Sequence, residues 1–172
     1  MVAAGVLLAS CGGSEPAAQS SSTTTVPEPT DFSGYVRSPV LNVSSVTLPS
    51  VDGTPVNFVA DPGGLRLVYF GYTTCPDVCP ATLSYLKRAL AAQPEADRER
   101  VQVDMITVDP HRDTPEKLAE YVARFVPTGN AIRTEDRKLL YAAADEFGAE
   151  FRIKINEEGK KEVSHRRPLR RR

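Results

Sequence analysis

Cys75 and Cys79 stand four positions apart in FGYTTCPDVCPATL (residues 70–83), each followed by a proline, directly after an apolar run. The only other cysteine in the 172 residues is Cys11. Two thiols at this spacing can serve as a disulfide staple, as a redox pair, or as two ligands of a metal ion. A staple would contribute little, because closing so short a loop hardly constrains the unfolded chain. As thiolates the pair are soft ligands suited to copper(I), which needs a further donor, commonly imidazole. Two histidines are available, His111 in VDPHRDTP and His165 in EVSH. Pro80 disfavours helical geometry at the residue before it, so Cys79 is expected at or near the N-cap of a helix, with Cys75 in the preceding loop. Unpaired backbone N–H groups at a helix start favour the thiolate, so both sulfurs are expected to be reactive and near the surface.

The elements that would hold this pair can be read from the flanking pattern. LRLVYFGY (65–72) is nearly continuous in apolar residues, as in a strand covered on both faces, and VQVDMITVD (101–109) is a second such strand. A helix is expected from Pro80, with Leu83, Leu86 and Leu90 at helical spacing. Thr114-Pro115 opens another, on which Leu118, Tyr121, Val122 and Phe125 fall at i, i+3, i+4 and i+7. A third runs from about Thr134 to Phe147, with Gly148 placed to end it. Upstream, SSVTLPSVDGTPVNFVA reads as two short strands joined around Asp52-Gly53. Downstream, FRIKI (151–155) alternates with period two and Glu158-Gly159 marks a turn. Strand alternating with helix implies an α/β layered domain with parallel central strands, in which function sits where strand passes to helix. The cysteines lie at such a point, which favours chemistry over stapling.

Composition bounds the rest. Hydrophobic content of 41% and charge of 25% are globular values. The formal net charge of −1 conceals an asymmetry: RRPLRRR (166–172) carries five of the 21 basic residues, leaving 16 against 22 acidic ones and a body near −6. An acidic body gives no support to nucleic-acid binding. MVAAGVLLASCGG has an apolar stretch too short to span a bilayer, followed by small residues, and reads as an export signal. Leu8-Ala9-Ser10-Cys11 resembles a bacterial lipobox, although no Lys or Arg precedes the apolar stretch and the true start is therefore expected upstream of Met1. On that reading Cys11 is the lipid anchor, and Cys75 and Cys79 are a pair in an extracytoplasmic compartment. The Ser-, Thr-, Pro- and Ala-rich stretch that follows has the composition of a disordered tether. The expected organisation is a signal segment (1–11), a tether (12–36), one domain (37–165) and a basic tail (166–172).

VYFGYTTCPDVCPATLSYL, ITVDPHRDTPEKLAEYV and the late VSH together resemble the Sco/SenC family of copper-binding proteins, over roughly Asn42 to His165. The resemblance implies a thioredoxin-like α/β fold. It implies that Cys75, Cys79 and His165 bind one copper ion, and that the protein helps deliver copper to the binuclear copper site of cytochrome c oxidase, with the copper-bearing oxidase subunit as partner. His111 falls where the family motif varies and reads as a surface residue; Asp77, Asp109 and Asp113 match motif aspartates expected to orient loops and cap helices. Family members continue past the histidine into an apolar strand, a hairpin and a last helix, whereas here the chain turns to RRPLRRR. The fold is therefore expected to lack that C-terminal strand, hairpin and helix, as from a truncated gene or a reading-frame error, so that the cysteine-bearing strand loses one neighbour.

Two functions compete. A membrane-tethered copper chaperone requires Cys75, Cys79 and His165 together. An extracytoplasmic thiol–disulfide oxidoreductase acting on client cysteines requires only the two cysteines and a suitable reduction potential. A peroxidase is disfavoured, because Tyr72 occupies the position three before Cys75 where peroxiredoxins carry Thr or Ser.

Overall fold

Two parallel strands carry the apolar runs. In the computed structural model, which describes residues 38–155 and 161–165, β3 (Leu65–Gly71) pairs with β4 (Val101–Thr107) in register Leu65 to Val101 through Gly71 to Thr107. The three-residue β5 (Asn130–Ile132) extends the sheet beyond β4, also parallel, giving the order β3-β4-β5. Along β4 successive side chains enter opposite layers, as a strand with period two requires when it is covered on both faces: Met105 lies in one core cluster and Ile106 in the other.

The helices supply those layers. α1 (Val78–Ala91) and α3 (Pro115–Phe125) cover one face, where Leu83 meets Leu118, Tyr121 and Val122 over Met105 and Ala131. The α3 spacing behaves as its sequence requires: Leu118, Tyr121 and Val122 are buried and Phe125 is half-buried, edge-on to Tyr121 with ring centroids 5.3 Å apart. Thr114 is its N-cap and accepts from the Lys117 N–H, with Pro115 at the first helical position. On the other face α4 (Arg137–Glu146) places Leu140, Ala143 and Ala144 against Ile106, Val108 and Ile132. α4 starts three residues later than the periodicity implies, because Asp136 caps it by accepting from the Lys138 and Leu139 N–H groups, while Thr134 serves the turn before it. Gly148, at φ 60°, ends it in the left-handed conformation that favours glycine.

Smaller elements close the domain. β1 (Thr47–Pro49) and β2 (Pro55–Asn57) form the hairpin expected around Asp52-Gly53, and Ser50 bridges to Ile132 of β5. β6 (Phe151–Ile155) and β7 (Lys161–His165) form a second antiparallel hairpin, with Phe151 opposite His165. Phe151, Ile153 and Val163 pack on the same cluster as Phe70, Tyr72 and Cys79. A one-turn helix, α2 (Glu95–Arg98), and β5 were not legible in the sequence, being too short to show a period. Among the described residues no strand pairs with the outer edge of β3. The signal segment with Cys11, the tether and the basic tail lie outside the described residues.

Candidate metal and redox centre

β3 ends at Gly71, and the chain turns at Tyr72–Cys75, where the Cys75 N–H donates to the Tyr72 carbonyl at 3.3 Å. α1 then begins at Val78 with Asp77 as N-cap, and Asp77 makes no side-chain capping bond. Cys79 is therefore the second helical residue, two positions inside the N-cap. The capping role falls to Cys75 instead: its Sγ accepts the Cys79 N–H at 3.3 Å. A sulfur thus occupies the place where a helix start is richest in unpaired donors.

The two thiols are free and differ in kind. Cys75 is half-buried, whereas Cys79 is fully enclosed, so the expectation that both sulfurs lie near the surface holds only for Cys75. Tight packing around Gly71 is the reason. A Cβ there would stand 2.6 Å from the Tyr69 ring, 3.2 Å from Met105 Cε and 3.3 Å from Cys79 Sγ. Burial alone would push the Cys75 thiol up. The Cys79 thiol, the Cys79 and Asp77 backbone N–H groups and the Tyr72 hydroxyl donate toward its sulfur and outweigh burial, holding its pKa below the ordinary value. Cys79 goes the other way: burial first, then its bond to Cys75, pushes it up to about 11. The pair is one accessible sulfur inclined to be thiolate and one enclosed, protonated neighbour.

Phenols surround the enclosed sulfur. Tyr69 lies beside Cys79 and Thr82, its buried hydroxyl meeting neither with full hydrogen-bond geometry. The Tyr121 hydroxyl is likewise buried, and burial followed by the nearby cysteines raises its pKa to about 12. Tyr72, raised by burial and then by the charge of Cys75, has Arg112 over its ring at 5.7 Å. Sequence reading passed over Tyr69 and Gly71, whose signal was their place at the end of the apolar run before the cysteines. Tyr121 read only as an apolar position of α3.

The structure sorts the remaining candidates. Asp109 pairs with Arg112, and the Asp113 carboxylate is buried among hydrogen-bond donors, so both hold loops as expected. His111 is exposed, on the rim of a cavity of about 210 Å³ between the segment after β4, α4 and Ile153. His165 ends β7, opposite the buried Phe151, on a hairpin that packs against the core containing Cys79; its side chain lies outside the described residues. Among the described residues no three His, Cys, Asp or Glu side chains gather as a metal cage.

A three-stranded parallel sheet between helical layers, with a C-x-x-x-C at the strand-to-helix turn, defines a thioredoxin-like domain. Residues 42–169 match the SCO1/SenC family model, and the chain belongs to that family. An SCO2-like protein of Rickettsia typhi is 37% identical over 94 residues, which are 49% of this chain and 46% of that one. The chain spans about half the length of the curated relatives it matches. Among solved structures, apo Sco1 of Thermus thermophilus is 35% identical with a TM-score of 0.60 and covers 70% of each chain. Copper-bound ScoI of Arabidopsis thaliana is 27% identical with a TM-score of 0.60, covering 72% of this chain and 77% of that one.

Proposed function

We propose that this protein binds copper through Cys75 and Cys79, with His165 as the third ligand, and delivers it to the binuclear copper site of cytochrome c oxidase from a membrane anchor at Cys11. The observation that carries this reading is the pair of free sulfurs in mutual contact at the start of α1, one of them accessible and held toward the thiolate. That donor set fits copper(I), a soft ion that two thiolates and an imidazole satisfy. The copper-bound state of solved family members supports it. Binding requires Cys79 to release its proton, and the half-buried Cys75 offers the face at which cargo could pass to a partner's thiols. Delivery to the oxidase rests on the family resemblance.

The asymmetry of the two thiols also favours a second activity. The Cys75 thiolate can attack a client disulfide, forming a mixed disulfide and releasing one client thiolate. Cys79, on losing its proton, then attacks the Cys75 sulfur and releases the second client thiol, leaving a Cys75–Cys79 disulfide. The client disulfide gains the two electrons that the cysteine pair loses.

Copper(I) titration in competition with a chromogenic chelator separates the two readings. The wild type should take up one copper(I), and Cys75→Ser or Cys79→Ser should abolish tight binding. His165→Ala should weaken binding by about tenfold or more, the loss of one of three ligands, and leave reduction of a client disulfide intact. Unchanged copper affinity in His165→Ala would remove the three-ligand site and leave the reductase.

A further inference from the structure

We propose that Asp113 is the positioning residue of the cysteine loop, acting through Thr73 to set where Cys75 stands. Asp113 lies 34 residues beyond Cys79, just ahead of the α3 N-cap, and its side chain is fully buried. A carboxylate in such a place is costly unless its oxygens are satisfied. Asp113 is satisfied by three donors from two segments. Its Oδ2 accepts from the Thr73 N–H at 3.0 Å and from the Thr107 hydroxyl at 2.6 Å, and its Oδ1 accepts from the Thr73 hydroxyl at 2.6 Å.

These bonds join what the sequence separates. Thr107 is the last residue of β4, paired in register with Gly71, the last residue of β3. Thr73 is two residues before Cys75, inside the turn closed by the Cys75 N–H and the Tyr72 carbonyl. Two bonds to one residue fix its orientation as well as its place. Among the described residues, they are the hydrogen bonds that tie 72–76 to a segment beyond α1. The next links are local: Cys75 follows the turn, and its sulfur receives the Cys79 N–H. Asp113 is itself braced from β5's end, where Arg133 Nε donates to the Asp113 carbonyl at 2.8 Å and its guanidinium to the Pro110 carbonyl at 2.9 Å. With its oxygens committed to Thr73 and Thr107, this carboxylate serves the site by geometry.

Geometry and charge can be told apart, because asparagine can keep the geometry. Its carbonyl oxygen in the Oδ2 position still accepts from the Thr73 N–H and Thr107 hydroxyl, and its amide donates to the Thr73 hydroxyl, which turns to accept. Alanine keeps none of this.

The test uses the full reduced chain and compares Asp113→Ala, Asp113→Asn, Thr73→Val and the double variant Thr73→Val/Asp113→Ala. Amide hydrogen exchange of residues 73–79 is read beside that of β4, and copper(I) affinity is read by chelator competition. Asp113→Ala should speed exchange at 73–79 by about tenfold or more while β4 stays protected, as local opening does. It should weaken copper(I) binding by about tenfold, Asp113→Asn should restore both within about threefold, and Thr73→Val should add little on top of Asp113→Ala, because the two act through one contact. Asn as damaging as Ala, unchanged exchange at 73–79, exchange that rises equally throughout the domain, or fully additive effects would each overturn the proposal. Only the affinity readout rests on the copper reading. If the wild type binds no copper(I), that reading fails, and exchange with its rescue by Asn decides the positioning role alone.

Discussion

Cys75 and Cys79 are identical in chemistry and opposite in circumstance, and the difference is measurable. Alkylation with iodoacetamide, followed by mass spectrometry of peptides, should label Cys75 first. A thiol held below its ordinary pKa reaches its thiolate plateau at lower pH, so the Cys75 rate should level off below the pH at which a free cysteine does. Cys79, enclosed and shifted up to about 11, should remain almost unlabelled through pH 9, including in a Cys75→Ser variant. Equal labelling of the two would show that the burial of Cys79 is wrong. Gly71 tests the same packing from the other side. Gly71→Ala forces the Tyr69 ring, Met105 and the Cys79 sulfur apart and should destabilise the domain by about 1–3 kcal/mol, the usual cost of overpacking, read from the urea midpoint. An unchanged midpoint would mean that the strand end has slack.

The helices α1 and α4 differ in how they start, and that too has a consequence. Asp136 caps α4 with two backbone bonds, whereas Asp77 stands at the N-cap of α1 and makes no such bond, its place being taken by the Cys75 sulfur. Asp136→Ala should therefore cost about 1 kcal/mol. Asp77→Ala should stay within about 0.5 kcal/mol, as an ordinary surface change. Denaturant unfolding of both variants checks the pair, and a larger loss at Asp77 would show that a carboxylate, not a sulfur, starts α1. Thr114-Pro115 and the α3 stripe were legible because cap, proline and period agree in one short stretch. The start of α4 was not, since Thr134 and Asp136 are both good caps and only the fold selects between them. β5 and α2 hold three and four residues, too few to declare a period.

The domain presents the cysteine turn at the carboxyl end of a parallel sheet. Whether it does so from a membrane depends on Cys11. Cys11→Ala should release the protein from the membrane fraction to the soluble fraction, detected by immunoblot of fractionated cells. A wild-type protein already soluble would end the anchoring proposal, and with it the argument for an oxidising compartment. β3, whose outer edge has no strand partner among the described residues, is the least buried strand of the sheet. Leu65 on that strand is 54% exposed while Phe70 near its end is 8% exposed, so cover grows toward the cysteines.

Local chemistry alone determined much of this protein. Two cysteines each followed by a proline after an apolar run, a threonine-proline helix start and alternating strand and helix periods are written in neighbouring residues, so the family, the fold class and the cysteine pair follow from the sequence. Contacts between distant residues determined the rest. The close packing at Cys79 involves Gly71 at the end of β3, and the buried hydroxyls of Tyr69 from β3 and Tyr121 from α3 lie in its neighbourhood. The anchoring of the cysteine turn depends on Asp113, on another strand–helix connection. No spacing rule predicts such meetings, because the sheet register and the packing of helices on it bring them about. The same sulfur chemistry at residues 75 and 79 thus becomes one half-buried thiol with a lowered pKa and one enclosed thiol with a raised pKa only once the sheet has formed and α1 has packed against it.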